Sequence, residues 1–115
     1  MNLRPLMILA LVAGVPMGAM AAESHATHDP GSEASKALMA VNEKMMTDMM
    51  APMSGNPDRD FVVMMIPHHQ GAIEMARVQL QFGTDPGIRK LAEAVIAAQK
   101  TEIAEMEAWL AAHPQ

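Results

Sequence analysis

The chain has 115 residues, eight basic and thirteen acidic, for a formal net charge of −5, and it contains no cysteine and no tyrosine. The acidic balance excludes a nucleic-acid binder, which needs a basic face. The missing thiols exclude disulfides, thiolate metal sites and cysteine nucleophiles together.

Residues 1–21 read as an export signal. Arg4 supplies the positive n-region, residues 6–20 the apolar h-region, and Ala19-Met20-Ala21 the cleavage site. About 15 apolar residues fall short of the ~20 that span a bilayer, so no stable membrane anchor is expected. Cleavage leaves 94 residues at net charge −6, enough for one small periplasmic domain. Residues 22–34 are polar and aperiodic, carry Pro30-Gly31, and read as a disordered tail. His25 and His28 in that tail give weak copper recruitment at most.

From there the pattern is helical and shows no strand alternation, which makes the chain all-α. A first helix is expected over residues 35–50, with Leu38, Val41, Asn42, Met45, Met46 and Met49 on one side. A second opens on Asn56 as N-cap and Pro57 at N1 and runs to Phe82, with Gly83 as the C′ residue. Pro67 should kink it, because its missing N–H forfeits a bond to residue 63. Its buried stripe is expected to carry Phe61, His68, Ala72 and Met75. A third helix opens on Asp85 and Pro86 and continues to about Ala112, with a stripe of Ile88, Leu91, Val95, Ala98, Glu102, Met106 and Trp109. The short Gly83-Thr84 link sets the two long helices antiparallel, and the shorter N-terminal helix should then cover their groove. Residues 35–113 thus form a single helical domain, whose exposed flank leaves room for a second copy in a homodimer.

Fourteen methionines are the compositional excess, ten of them after the signal. Met64 and Met65 each stand one turn before His68 and His69, so a thioether neighbours each imidazole. With Met75, and with Met45, Met46 and Met49 from the first helix, they form a soft-to-borderline donor set. Such a set favours Cu(I), accepts Cu(II), and would take Ag(I) by the same logic. Against this stands packing, since methionine also fills irregular cores. Glu102 and Gln99 fall on the apolar side of the third helix, and antiparallel helices would bring Glu102 to His68 or His69 as an outer partner of a bound metal.

The run MMIPHHQGAIEMA and the later LAEAVIAAQKTEIAEMEAWL resemble the two signatures of the family catalogued as domain of unknown function 305, over roughly residues 36–113. The resemblance implies a ferritin-like fold, export to the periplasm and, from its few characterised members, copper binding in metal tolerance. The positions it carries over are His68, His69, Met65, Met75, Gln99, Glu102 and Met106. No Glu-x-x-His pair occurs, so the di-iron carboxylate site of the wider ferritin-like group is absent.

The leading expectation is a periplasmic copper-binding protein that sequesters Cu(I) or hands it to a transfer partner. An enzyme is not expected: no H-E-x-x-H or G-x-S-x-G motif occurs, and every serine lies within residues 24–54. The alternative is a helical adaptor whose methionine-rich face grips a protein partner without metal.

Overall fold

A computed structural model describes Asp29 and residues 31–114. The export signal, its cleavage site and His25 and His28 lie outside the described residues. Among the described residues the chain is all-α: three helices, α1 (Glu33–Asp48), α2 (Pro57–Phe82) and α3 (Pro86–Ala112), and no strand.

Local chemistry sets each boundary. The Asn56 side chain accepts from the N–H groups of Asp58 and Arg59, and Asp85 accepts from Ile88, so both long helices open on a side-chain cap followed by proline. α1 starts two residues before its apolar periodicity does, because the Ser32 hydroxyl accepts the Ser35 N–H at 3.1 Å. α2 continues as helix on both sides of Pro67. Gly83 ends α2 in an extended conformation (φ −77°) rather than the left-handed one expected of a C′ glycine. It is required for a different reason. A Cβ there would fall 1.9 Å from Gln79 Nε2 and 2.6 Å from the Gln79 carbonyl.

Three ties join α2 to α3. Arg59 donates to the His113 carbonyl at 3.0 Å, His69 meets Glu102 at 2.5 Å, and Arg89 donates to the carbonyls of Leu80 and Gly83 at 2.7 and 2.9 Å. The start of α2 therefore lies beside the end of α3 and the middles meet: α3 runs back along α2. Arg59 and Arg89 also satisfy carbonyls that the two helix C-termini would leave orphaned.

α1 packs on α2 and makes no contact with α3. At the crossing, Met45 lies over Gly71, where an added Cβ would come within 2.5 Å of the Met45 sulfur. The expectation that α1 covers the α2–α3 groove is overturned, since it lies on the far side of α2. The reason is Gly71, a notch on the side of α2 turned away from α3, which admits Met45 closely. α2 is thus the central helix of an open bundle, and the buried residues follow: Val62, Gly71, Ile73 and Ala76 on α2, Ala92 on α3, none on α1.

The apolar stripes are rotated from their expected positions. Phe61 and Met75 are 60% and 37% exposed and His68 is exposed, while Val62, Ile73 and Ala76 take the inner line of α2. On α3, Ala92 is buried, but Ile88 and Leu91 are 49% and 58% exposed. Small residues decide the phase: Ala76 and Ala92 let the two backbones approach where Met75 and Leu91 would hold them apart.

Candidate functional site

His69 and Glu102 form the one cross-helix contact between imidazole and carboxylate among the described residues. The His69 side chain retains 15% of its exposure and Glu102 retains 54%, so the pair sits at the rim of the α2–α3 seam. A carboxylate has no proton to give, so Nε2 of His69 must donate to Glu102 Oε2. In the neutral ring this leaves Nδ1 as a bare lone pair. Nδ1 is buried and has no hydrogen-bond partner. Leaving such an acceptor unsatisfied costs about 1–3 kcal/mol. An imidazole braced by a carboxylate through one nitrogen, with the other free, is the arrangement of a metal-ligating histidine.

Each expected site residue has a definite place. His68 and His69 do not converge: their ring centroids are 6.0 Å apart with planes at 59°, His68 outside and His69 in the seam. Of the two histidines open to Glu102, it meets His69. Met64 and Met65 are half-buried, and Met75 is exposed. Met65 stands one turn before His69, and Met106, also half-buried, one turn after Glu102. With α3 running back along α2, those two thioethers lie on the same level of the pair. On α1, Met45 is seated against Gly71, Met49 is half-buried and Met46 is 56% exposed. Because α1 lies across α2 from α3, its methionines sit on the side of α2 opposite Glu102. Gln99 is half-buried on the inner line of α3. Among the described residues, no three of His, Cys, Asp and Glu come together as a metal-holding group.

Two further features escape a sequence reading. Asp60 accepts from the Ser54 hydroxyl and N–H, both at 2.7 Å, and from the Gly55 N–H at 3.1 Å, folding the α1–α2 loop onto the start of α2. The Ser54 bonds hold its carboxyl below the ordinary carboxylate value. At the far end of α3, His113 stacks on Trp109 with centroids 4.2 Å apart and donates from Nδ1 to the Trp109 carbonyl at 2.7 Å. The i,i+4 spacing of Trp109 and His113 was a signal for this contact. Nothing local signals the reach of Arg59 to residue 113.

The family model described as Domain of unknown function (DUF305) matches residues 10–110. No curated protein matches the chain. No described helix is long and apolar enough to cross a membrane.

Proposed function

Since the chain belongs to that family, whose description assigns no activity, we propose from its own residues that it binds copper as cargo, favouring Cu(I), for sequestration or transfer. The unpartnered, buried Nδ1 of His69 carries the reading, with its ring braced by Glu102 through the other nitrogen. The residues that would complete the donor set are the thioethers of Met65 and Met106, one turn away on each helix. Met64, Met75 and His68 lie further out and suit capture or hand-on. Met45, Met46 and Met49 are assigned to α1 and its packing. Thioethers and a neutral imidazole suit Cu(I) and Ag(I) better than hard cations, while the imidazole also accepts Cu(II). The reading includes export to the periplasm through residues 1–21, a single domain over residues 35–113 with ferritin-like topology, and binding rather than catalysis.

Competition titration of Cu(I) against a chromophoric chelator tests it. His69→Ala should weaken Cu(I) at least about tenfold, and Glu102→Ala about 10–100-fold, as loss of an outer partner does. His68→Ala should change it far less. Unchanged affinity in His69→Ala would overturn the reading.

A second reading, a methionine-rich adaptor that binds a protein without metal, draws more direct support from the surface. Phe61, Met75, Leu91, Met39 and Met46 are all exposed, and Met50 is 83% so. Side chains of that size left out of a core this small fit a surface meant to be covered. Association that persists unchanged in chelator is its expected mark.

A further inference from the structure

The thioether of Met45 seats α1 on α2. A Cβ placed on Gly71 would fall 2.5, 2.7 and 3.0 Å from the Met45 sulfur, Cγ and Cβ, so this side chain fills the notch. α1 has no buried residue of its own and makes no contact with α3, so the Met45 contact carries much of its hold. Met45 is nevertheless reachable. It is half-buried and lines a cleft of about 520 Å³ between α1 and α2, with Gly71, Lys44, Asp48, Gln70 and Glu74 around it. A water takes ~30 Å³ of liquid, so the cleft admits a small polar oxidant together with water.

We propose that Met45 is a reversible oxidation site, at which a hydroperoxide releases α1 from α2. The chain carries no thiol, so thioethers are the sulfur groups that an oxidant meets. The sulfur lone pair takes the terminal peroxide oxygen and the O–O bond breaks. The proton of the transferred hydroxyl passes through water to the departing oxygen. With hydrogen peroxide the products are a sulfoxide and one water; sulfur loses two electrons and the peroxide gains them. A thiol-dependent reductase reverses the step, removing the oxygen as water while two thiols become a disulfide.

The surroundings decide what the new oxygen does. On the Gly71 side it has no room. On the cleft side it is a strong acceptor among poor donors. Asp48 and Glu74 can only accept, and Lys44 is engaged by Asp48. The Gln70 amide stands alone against the many donors that water offers outside, so the oxidised side chain leaves the notch and α1 goes with it. Met39, Met46, Met50 and Met53 are exposed, so an oxygen on any of them disturbs no packing. They react without consequence and consume oxidant before the half-buried Met45 is reached, which gives the release a threshold. This inference goes beyond metal or partner binding and requires neither.

The test is titration of the chain with hydrogen peroxide in chelator, so that no metal catalyses the oxidation. Peptide mass mapping follows each methionine, and NMR follows the contacts between α1 and Gly71. The exposed methionines should oxidise first with those contacts intact. The contacts should then vanish in step with Met45 sulfoxide, while those between α2 and α3 persist, and the two sulfoxide reductases, one per epimer, should restore them. Met45→Leu conserves volume and should keep α1 seated through the whole titration. Contacts that survive full oxidation of Met45, or that are lost in Met45→Leu as in the parent, would overturn the proposal. So would simultaneous loss of the α2–α3 contacts. If leucine fails to seat, a chain with Met39→Leu, Met46→Leu, Met50→Leu and Met53→Leu decides. It keeps Met45 and should release α1 at a lower dose of peroxide, and Met45 sulfoxide without release would overturn the assignment.

Discussion

At the scale of single residues, the structure separates two adjacent histidines that the sequence treats as a pair. Whenever its ring is neutral, His69 should hold its proton on Nε2, because the Glu102 carboxylate can only accept. Nitrogen NMR checks this directly, and an Nδ1–H signal would undo the argument for a free donor. Arg89 should matter more than its surface charge implies. It is part-buried and serves two terminal carbonyls of α2, so Arg89→Ala should cost about 1–2 kcal/mol in denaturant unfolding. Asp60 gives a pH prediction. Its carboxyl is held below the ordinary value of 3.8 by bonds from Ser54 and Gly55, so its contribution is fully present above that value. That contribution is lost as pH falls through the lowered folded value. A carboxyl-carbon titration of Asp60, with loop amides followed in parallel, should show the loop releasing there, and Asp60→Asn, with no carboxyl to titrate, should lose that acid transition. What was legible at this scale was the caps, Asn56 and Asp85, because a cap is decided within three residues. The choice between His68 and His69 was not legible. It turns on ~100° of helix phase, set by which residues let a neighbour come close.

At the scale of elements, α2 works in two directions. One side takes α3 through Val62, His69, Ile73 and Ala76, and the other takes α1 at Gly71. A hydrophobic stripe assumes one buried face, which is why the expected stripe of Phe61, His68, Ala72 and Met75 fell between the two faces in use. The helix ends and the count of three were readable from proline, glycine and asparagine. The crossing of α1 was not, because its determinant is a missing side chain. Gly71→Ala tests that determinant. The new Cβ would collide with the sulfur, Cγ and Cβ of Met45, so α1 must shift. The expected cost is about 1–3 kcal/mol, offset in part by the ~1 kcal/mol that alanine gains over glycine in a helix. The damage should show in α1 and leave the α2–α3 ties in place, and NMR shifts confined to α1 and the Gly71 region would confirm it.

At the scale of the whole molecule, the core is thin. Among the described residues four apolar side chains fall below one-tenth exposure, and they are valine, isoleucine and two alanines. Burying a valine or isoleucine contributes about 1.5–3 kcal/mol, so such a core leaves a narrow margin. Removing metal should still leave most helicity, because the packed seam is made of side chains and backbone rather than of ligands. Far-UV spectra of chelated protein check this, and wholesale unfolding would show that metal supplies the folding energy. If the homodimer expected from the sequence forms, the melting temperature must rise with protein concentration, as mass action requires. A melting temperature that ignores concentration would mark the single chain as the folding unit.

Among the described helices α1 touches α2 alone, and this has a kinetic consequence. Lifting α1 away breaks its seat at Gly71 but none of the three ties between α2 and α3. The chain therefore has a cheap partial opening, in which α1 frays and detaches while the hairpin persists. Native-state hydrogen exchange should sort the amides into two classes, those of α1 trading their protons early and those in the middle of α2 and α3 late. Proteases should nick the segment between α1 and α2 first. In the cell, the lifetime of this protein would then be set by how often its first helix lets go, not by how often the whole fold is lost.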